Sequence, residues 1–343
     1  MTVTPADKKP TAPHHKMAPS LLARIFQNRY AGALISLVIV GIFLALTQPV
    51  FLTWPNLMNI VKSNSVVFVL ALGATFVVIS GGVDLSVASA TAATAMIFGL
   101  TLLTGVSAPV AILVAILFGA FLGFLNGFAI SYLKISFFVV TLGTLSMFQS
   151  FSLIINDGTS VSVFAAGGFK PLNTFVNGNV GPFPIILIFD VLLLLLAGGV
   201  LRYTAFGRAL YAIGSNPEAA RLNGINVKRV IMIVFIIAGL MAGIGSIIQV
   251  GRLTSASADV DPTLLMTVLA AVLIGGTAFT GGEGGVFGTM IGVLFLGVIQ
   301  NGLTLTGVSS FWQGMVSGGI LILAVWLGGL RQVLQRRRQT AVE

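Results

Sequence analysis

The stretch FGRALYAIGSNPEAARLNGINVKR, residues 206–229, is the longest charged, water-compatible block in a chain that is otherwise almost continuously apolar. Within it, Asn216 can cap a helix, Pro217 suits the first helical position, and Glu218 suits the positive end of the helix dipole. Gly224 can close the last turn. These signals predict a helix of about two turns that is marginal alone in water and leans on a partner. A basic loop that only fixes membrane topology is the alternative.

The rest of the chain has too little polar surface for a soluble protein. Of the 343 residues, 56% are hydrophobic and only 8% are charged. Apolar runs of about 17–25 residues, the length that crosses a bilayer, recur along the chain. The sequence predicts an all-α polytopic membrane protein with about ten transmembrane helices, some broken at glycine-rich segments. The predicted spans are residues 33–52, 64–81, 85–104, 108–131, 136–155, 183–201, 230–250, 264–280, 286–304 and 311–329.

Basic residues are distributed unevenly between the two sides of this predicted bundle. An even number of spans puts both termini on one side, and fifteen of the 18 Lys and Arg residues then share that side. The positive-inside rule assigns it to the cytoplasm. The residues left outside are Lys62, Lys170 and Arg252. The predicted organisation is a cytoplasmic tail over 1–32, a membrane domain over 33–329 with a cytosolic loop at about 202–229, and a basic cytoplasmic tail over 330–343.

Composition and missing motifs exclude several classes of function. There is no cysteine, and both histidines, His14 and His15, lie in the polar N-terminal tail, so we predict no metal site and no thiol chemistry. The net charge of +9 is spread over inner loops and tails, where orientation and anionic lipids explain it better than nucleic acid does. No Walker A motif is present, and no span offers a nucleophile beside a base. We therefore predict no catalytic residue.

Two glycine-rich segments interrupt the predicted spans. In ISGGVDLSVASA, residues 79–90, Gly81 and Gly82 weaken the helix just before Asp84, which we expect to cap the helix that follows. IGGTAFTGGEGGVFGT, residues 274–289, contains seven glycines. Such a segment allows tight backbone crossing or non-helical backbone that faces a cavity.

Polar and aromatic side chains inside the spans are candidates for a translocation pathway. Lipid offers a polar group no partner, so these residues either line a path or bind neighbouring helices, and helix binding is the alternative for each one. Uncharged amides suit a neutral polyol, and phenylalanines can stack on a sugar ring or gate a pore. Asp190 is the one acid well inside a span and could relay a proton or form a structural hydrogen bond. The pathway and gating candidates are Gly81, Gly82, Asp84, Ser86, Asn126, Phe137, Phe138, Thr141, Gln300 and Asn301.

Four motifs of the chain resemble, in order and spacing, those of a known family. The resemblance is to the permease subunits of bacterial ATP-binding cassette importers of the ribose, galactose, arabinose and xylose type, and it covers residues 30–330. It implies a multi-pass inner-membrane protein that pairs with a second permease, either another copy or a paralogue. It also implies a periplasmic or lipid-anchored sugar-binding protein. The motifs are ISGGVDLSV, FFVVTLGT, FGRALYAIGSNPEAARLNGI and IGGTAFTGGEGGVFGT.

The resemblance further implies a cytosolic ATPase that binds ATP and Mg and drives alternating access, so the chain itself carries no cofactor. Residues 216–224 look like the helix that docks into that ATPase. Two positions depart from the family pattern: Ala88 stands where many relatives have glycine, and residues 147–149 replace a common arginine. The residues implied in coupling are Asn216, Pro217, Glu218, Ala219, Ala220, Arg221, Leu222 and Gly224.

Other transporters compete with this interpretation. Related permeases serve branched amino acids, nucleosides or a signalling sugar. The near absence of charge inside the spans favours a neutral polyol over a zwitterion. An ion-coupled secondary carrier needs ionisable groups near the bilayer midplane, where only Asp190 qualifies.

Overall fold

The computed structural model describes residues 30–309, 312–323 and 326, which form a bundle of α-helices with two small pairs of antiparallel strands. The predicted tails, apart from residues 30–32, lie outside these residues. The helices are α1 (Ala31–Thr47), α2 (Trp54–Ile79), α3 (Val87–Leu103), α4 (Ala108–Ser131), α5 (Phe137–Ile154), α6 (Phe169–Asn177), α7 (Ile185–Tyr203), α8 (Ala205–Ser215), α9 (Pro217–Leu222), α10 (Val227–Leu253), α11 (Pro262–Ile274), α12 (Val286–Leu305) and α13 (Trp312–Leu323). Strand β1 (Val161–Ser162) pairs with β4 (Ser255–Ala256), and β2 (Asn179–Val180) pairs with β3 (Phe183–Pro184).

Among the described residues, six helices are long and apolar enough to cross a membrane: α2, α4, α5, α7, α10 and α12. Four shorter apolar helices, α1, α3, α11 and α13, accompany them. Every predicted span overlaps one of these helices. The all-α polytopic class is confirmed, and the count of about ten crossings stays a prediction.

Helix α2 is the centre of the bundle. All its residues from Phe68 to Ile79 are buried, and it packs against α10, α12, α11 and α7. The outer faces of α4, α5 and α7 carry large exposed apolar side chains such as Leu117, Val139 and Leu192. A helix that is apolar all round belongs in the interior, whereas outer helices of a membrane bundle present apolar side chains to lipid.

Helices α4 and α10 cross at glycines. A Cβ on Gly119 would lie 2.9 Å from the Gly243 nitrogen, and one on Gly123 would lie 3.1 Å from Gly239 Cα. Small residues four apart on both helices remove the side chains that would hold the backbones apart. Close helix contact in this bundle thus depends on α4 and α10, and not only on the glycine-rich segments that the sequence singles out.

The two ends of the bundle differ in structure. One end, here called the α9 end, holds α8, α9, residues 80–86 and residues 275–285; Lys228 Nζ lies 5.7 Å from the Tyr132 ring there. The other, here called the strand end, holds α6 and both strand pairs. At the strand end Arg252 donates a hydrogen bond to the Ser63 carbonyl, 2.9 Å, and Lys62 donates to that of Asn177, 2.9 Å.

The cations of the described residues separate between the ends as predicted. Those predicted outside lie at the strand end, and those predicted inside lie at the α9 end. Which end faces the cytoplasm stays a prediction from the charge bias.

Candidate functional site

The short helix predicted from Asn216 and Pro217 is present as α9. The Asn216 side-chain oxygen accepts hydrogen bonds from the backbone nitrogens of Glu218 and Ala219, both at 3.0 Å. Pro217 occupies the first turn. Gly224 has φ +82° just after the helix, a conformation that costs glycine little. The structure therefore confirms the helix and both its caps. The sequence could predict them because each depends only on residues close together in the chain.

The surface of α9 is mostly open. Ala220 is its buried residue, whereas Leu222 is 74% exposed. Arg221 pairs with Glu218 at 2.6 Å, and the bonds that Arg221 donates hold the pKa of this carboxyl below its usual range. An exposed pair of this kind contributes little to stability. An apolar side chain and a polar pair thus lie together on an exposed helix at one end of the bundle.

Helix α8 connects α9 to the bundle. Its first turn is capped by Thr204, whose hydroxyl accepts from the Gly207 nitrogen at 3.1 Å. Leu210 and Ile213 are buried beneath it. The Phe206 ring stacks on Phe76 of α2 with centroids 6.4 Å apart. Helix α8 therefore lies across the end of the central helix.

Residues 80–86, here called the first break, separate α2 from α3. Asp84 Oδ1 accepts hydrogen bonds from the Ser86 nitrogen, 2.8 Å, and the Ser86 hydroxyl, 2.6 Å. The Asn126 amide of α4 donates to the same hydroxyl at 2.9 Å. The prediction that Asp84 caps the following helix was wrong: the N-cap residue is Ser86, because the chain stays non-helical for two more residues and α3 begins at Val87.

Four of the pathway candidates meet beside the first break. Asp84, Ser86, Asn126 and Thr141 are each at most 9% exposed, and they are here called the gate cluster. The Thr141 hydroxyl of α5 donates to the Phe137 carbonyl at 2.8 Å and lies 3.4 Å from that of Val83. Among the described residues, the Asn126 side-chain oxygen has no hydrogen-bond partner. The cluster thus contains a buried acceptor that a hydroxyl group could satisfy.

Gly81 and Gly82 lie within the first break itself, and the other four pathway candidates lie on α5 and α12. Asn301 exchanges two amide hydrogen bonds with Asn56 of α2, 3.0 and 2.9 Å, toward the strand end. Gln300 precedes it on α12. Phe137 packs against the core, whereas Phe138 is 54% exposed on the outer face of α5. Phe137 meets the gate cluster through its backbone carbonyl, which accepts from Thr141, whereas Phe138, Gln300 and Asn301 are not brought to it. The roles of all four residues stay predictions.

Residues 275–285, here called the second break, contact the first break and α8. The Gly282 nitrogen donates to the Ile79 carbonyl of α2 at 2.8 Å, and the Tyr211 hydroxyl of α8 donates to the Gly284 carbonyl at 2.9 Å. Sequence patterns did not indicate that Tyr211, Gly214 and Ser215 belong to this contact. The available signal was the pair of small residues, Gly214 and Ser215, that ends α8. Such a pair does not indicate which segment packs against it.

Asp190 is buried in α7 and accepts a hydrogen bond from the Ser65 hydroxyl of α2 at 2.9 Å. The sequence left two roles open for Asp190, a proton relay and a structural hydrogen bond, and this contact is the structural hydrogen bond. Among the described residues, no group of three or more His, Cys, Asp or Glu side chains could hold a metal ion.

Comparison with known proteins agrees with this arrangement. A family model described as "Branched-chain amino acid transport system / permease component" matches residues 56–325. The chain belongs to this permease family. The matched residues include nearly all of α2, helices α3 to α13 and both breaks.

Three relatives illustrate the chain's similarity to individual permeases. The D-allose transport system permease protein AlsC of Escherichia coli K12 is 34% identical over 307 residues, 89% of this chain and 93% of the relative. The ribose import permease protein RbsC of Bacillus subtilis 168 is 35% identical over 86% of this chain and 91% of its own. The galactose/methyl galactoside import permease protein MglC of Haemophilus influenzae Rd is 34% identical over 86% and 92%. No solved structure matches the chain at a significant level.

Proposed function

We propose that this chain is the membrane-spanning permease subunit of an ATP-binding cassette importer that moves a monosaccharide or related polyol inward. The relatives that carry sugar names support the cargo class. The observation that carries the ATP-driven mechanism is α9, a capped and exposed helix held at one end of the bundle in a chain without a nucleotide-binding motif. ATP and Mg bind to a partner ATPase, and this chain performs no chemistry.

The ATPase docks on α9. Leu222 supplies an exposed apolar anchor, and Glu218 and Arg221 supply a preformed polar pair beside it. A helix of six residues is too short to be stable by itself, and the Asn216 cap and Gly224 turn hold it in shape before docking. Closure of the ATPase pulls on this helix and switches the side to which the central cavity opens.

The gate cluster contacts the cargo or closes behind it. Asp84 and Ser86 form a polar pair at a helix break, and the Asn126 side-chain oxygen, which has no hydrogen-bond partner in the described part of the chain, is buried beside them. Hydroxyl groups of a polyol can both donate to Asn126 and accept from the cluster. Over residues 30–309 and 312–323, Asp84 has no basic partner, and a single acid of this kind suits a neutral polyol better than a zwitterion, which calls for charges of both signs.

A second permease, a binding protein and lipid contact other surfaces of the bundle. Helix α5 exposes Ser146, Ser150 and Met147 on one outer face, a mixture that suits a second permease or the pathway between two permeases better than lipid. A periplasmic or lipid-anchored binding protein delivers the cargo at the strand end. The protein spans the bacterial inner membrane with both termini in the cytoplasm and contacts lipid around α4 and α7.

Reconstitution with the ATPase and binding protein tests this proposal. We expect Glu218→Ala and Gly224→Ala to insert and assemble normally but to lose uptake relative to ATP hydrolysis. Gly105→Ala is the matched control for Gly224→Ala, because Gly105 has φ +83° in open space at the strand end. Asp259→Ala, at an exposed acid near that end, is the control for Glu218→Ala. Normal uptake and normal ATPase stimulation in both α9 variants would refute the docking role.

Measurements of the energy source and of the cargo separate the alternative classes of transporter. Uptake that follows a proton gradient in the absence of ATP would favour an ion-coupled carrier with Asp190 as its acid. Uptake assays in which monosaccharides, leucine and nucleosides compete with a labelled solute would identify the cargo class. Competition by leucine alone would move the chain to the branched amino acids named in its family description.

A further inference from the structure

Three segments that are distant in sequence meet through their backbones beside α9. They are the end of α2 with Gly81, the end of α8 with Gly214 and Ser215, and Gly281 and Gly282 of the second break, and together they are here called the glycine junction. A Cβ on Gly214 would overlap the Ile79 carbonyl oxygen and the Gly282 nitrogen. A Cβ on Gly281 would lie 2.7 Å from Gly81 Cα and 3.0 Å from the Gly214 oxygen. No side chain fits between these segments.

Hydrogen bonds fix the same contact. The Gly282 nitrogen satisfies the Ile79 carbonyl, one of the carbonyls that the end of a helix leaves without an intrahelical partner. The Tyr211 hydroxyl holds the Gly284 carbonyl, and the Ser215 hydroxyl donates to the Tyr211 carbonyl at 2.9 Å. Close packing and directional bonds together resist sliding of α8 over the second break.

The junction lies between the two parts of the proposed mechanism. Helix α9 begins two residues after Ser215, and the gate cluster begins with Asp84, three residues after Gly81. Between α9 and the first break lie the backbone contacts of Gly214 with Ile79 and Gly282, and of Gly281 with Gly81. Packed elements of this kind move as a body or switch between discrete arrangements rather than compress.

A second route from α9 to the gate cluster exists along the chain. It runs through Gly224 and Asn226 into α10, which packs on α4 and thereby reaches Asn126. That route is also short, because Gly127, the neighbour of Asn126, packs against Met232 near the start of α10. The two routes differ in which substitution interrupts them, so they can be separated.

We propose that the glycine junction transmits movement of α9 to the first break, so that docking at the ATPase and opening of the gate cluster are one rigid step. This inference rests on the proposed function. Gly214 and Tyr211 are positioning residues in it, since neither touches the cargo or the ATPase.

The absence of natural cysteine provides a direct readout. Leu85 lies half-buried inside the first break, so Leu85→Cys gives a single thiol whose labelling rate reports on the break. In the complete transporter we expect ATP and vanadate to change that rate at least about fivefold, the lower end of the coupling between two sites. In Leu85→Cys with Gly214→Ala we expect the change to disappear while ATP hydrolysis continues.

Two further variants serve as a control for Gly214→Ala and as a substitute for it. Gly199→Ala is the matched control, because Gly199 lies in helix α7 with open space around its added methyl group. Tyr211→Phe removes only the hydroxyl that holds Gly284, and we expect it to lower uptake per ATP hydrolysed about twofold to fivefold in a normally assembled transporter. It therefore replaces Gly214→Ala should the alanine variant fail to assemble.

The outcomes separate this inference from the proposed function. Nucleotide-dependent labelling of Leu85→Cys that survives in both junction variants would overturn the inference and favour the route through α10. If the α9 variants uncouple uptake and the junction variants do not, the docking role stands and the junction role fails. If neither set uncouples, both fail.

Discussion

The α4–α10 crossing and the glycine junction both bring backbones into contact through glycine, but they use different properties of that residue. At the crossing, Gly123 and Gly239 lie in regular helix, and only their lack of volume matters. At the junction, Gly81 and Gly281 have φ near +83° and +82°, so lack of volume and left-handed backbone are both required. The crossing joins two regular helices, whereas the junction joins a helix end at Gly214 to turns at Gly81 and Gly281 whose left-handed backbone favours glycine.

The largest expected effect is at the crossing. Gly123→Ala would push its methyl group into the Phe235 carbonyl, and we expect a loss of about 3 kcal/mol, the upper range for overpacking a close-packed interior. Thermal unfolding in detergent, followed by size-exclusion chromatography, measures it. Gly143→Ala on α5 has open space and should leave the transition unchanged. Equal stability of both variants would show that the helices separate easily there.

The next effect is at the junction. Gly281→Ala combines a left-handed backbone cost of about 1–2 kcal/mol with contact against Gly81. Gly105→Ala has nearly the same φ, +83°, with nothing near its added carbon, so it reports the backbone cost alone. We expect Gly281→Ala to abolish uptake by a transporter that still assembles, and Gly105→Ala to retain it. Similar uptake by both would remove any special role for the contact.

A smaller effect is expected from one hydrogen bond between α2 and α12. The hydroxyls of Thr75 and Thr289 are 2.7 Å apart and buried. Thr75→Val should cost about 0.6 kcal/mol, typical of hydrogen bonds between membrane helices. A double-mutant cycle with Thr289→Val measures the coupling in the same unfolding assay. A coupling energy of zero would show that each threonine is satisfied by its own helix, as Thr75 is in part by the Ala71 carbonyl.

The smallest effect on stability is expected on α9. Arg221 lowers the pKa of Glu218, so this pair stabilises the fold fully above the ordinary carboxyl pKa and loses that effect as pH falls through the lowered value. Because both side chains are exposed, Glu218→Gln should shift the melting temperature by no more than about 1 °C at pH 7, and the shift should shrink as the pH falls through the lowered pKa of Glu218. A large shift at pH 7 would mean that α9 stabilises the bundle rather than awaiting a partner.

Sequence patterns predicted local structure where neighbouring residues decide it. The cap at Asn216, the turn at Gly224 and the overlap of each predicted span with a helix required no distant contact. The predicted ends of the spans were less accurate where polar residues are buried. Helix α2 starts at Trp54, ten residues before the predicted span, because the side chain of Asn56 finds its partner in Asn301. Hydropathy alone counts such a residue as exposed.

Part of the candidate site was likewise within reach of the sequence. Asp84 and Ser86 are adjacent to the glycine pair, so their association is local. Asn126 and Thr141 were chosen for polarity, and only packing of α4 and α5 against the first break brings them to Asp84. Gln300 and Asn301 were chosen by the same rule and lie at the other end of α12. Polarity therefore identifies residues that need a partner but does not say which partner.

The sequence by itself determined the membrane class, the separation of charge between the two ends and the capped helix α9, because composition, charge bias and local capping act without tertiary contacts. Tertiary structure alone decided that Gly282 meets Ile79, about 200 residues away, and that α8 ends against both breaks. The physical reason is that close backbone approach depends on the absence of side chains on both partners. A glycine in a sequence shows that space is available, but only the folded chain shows which backbone occupies it.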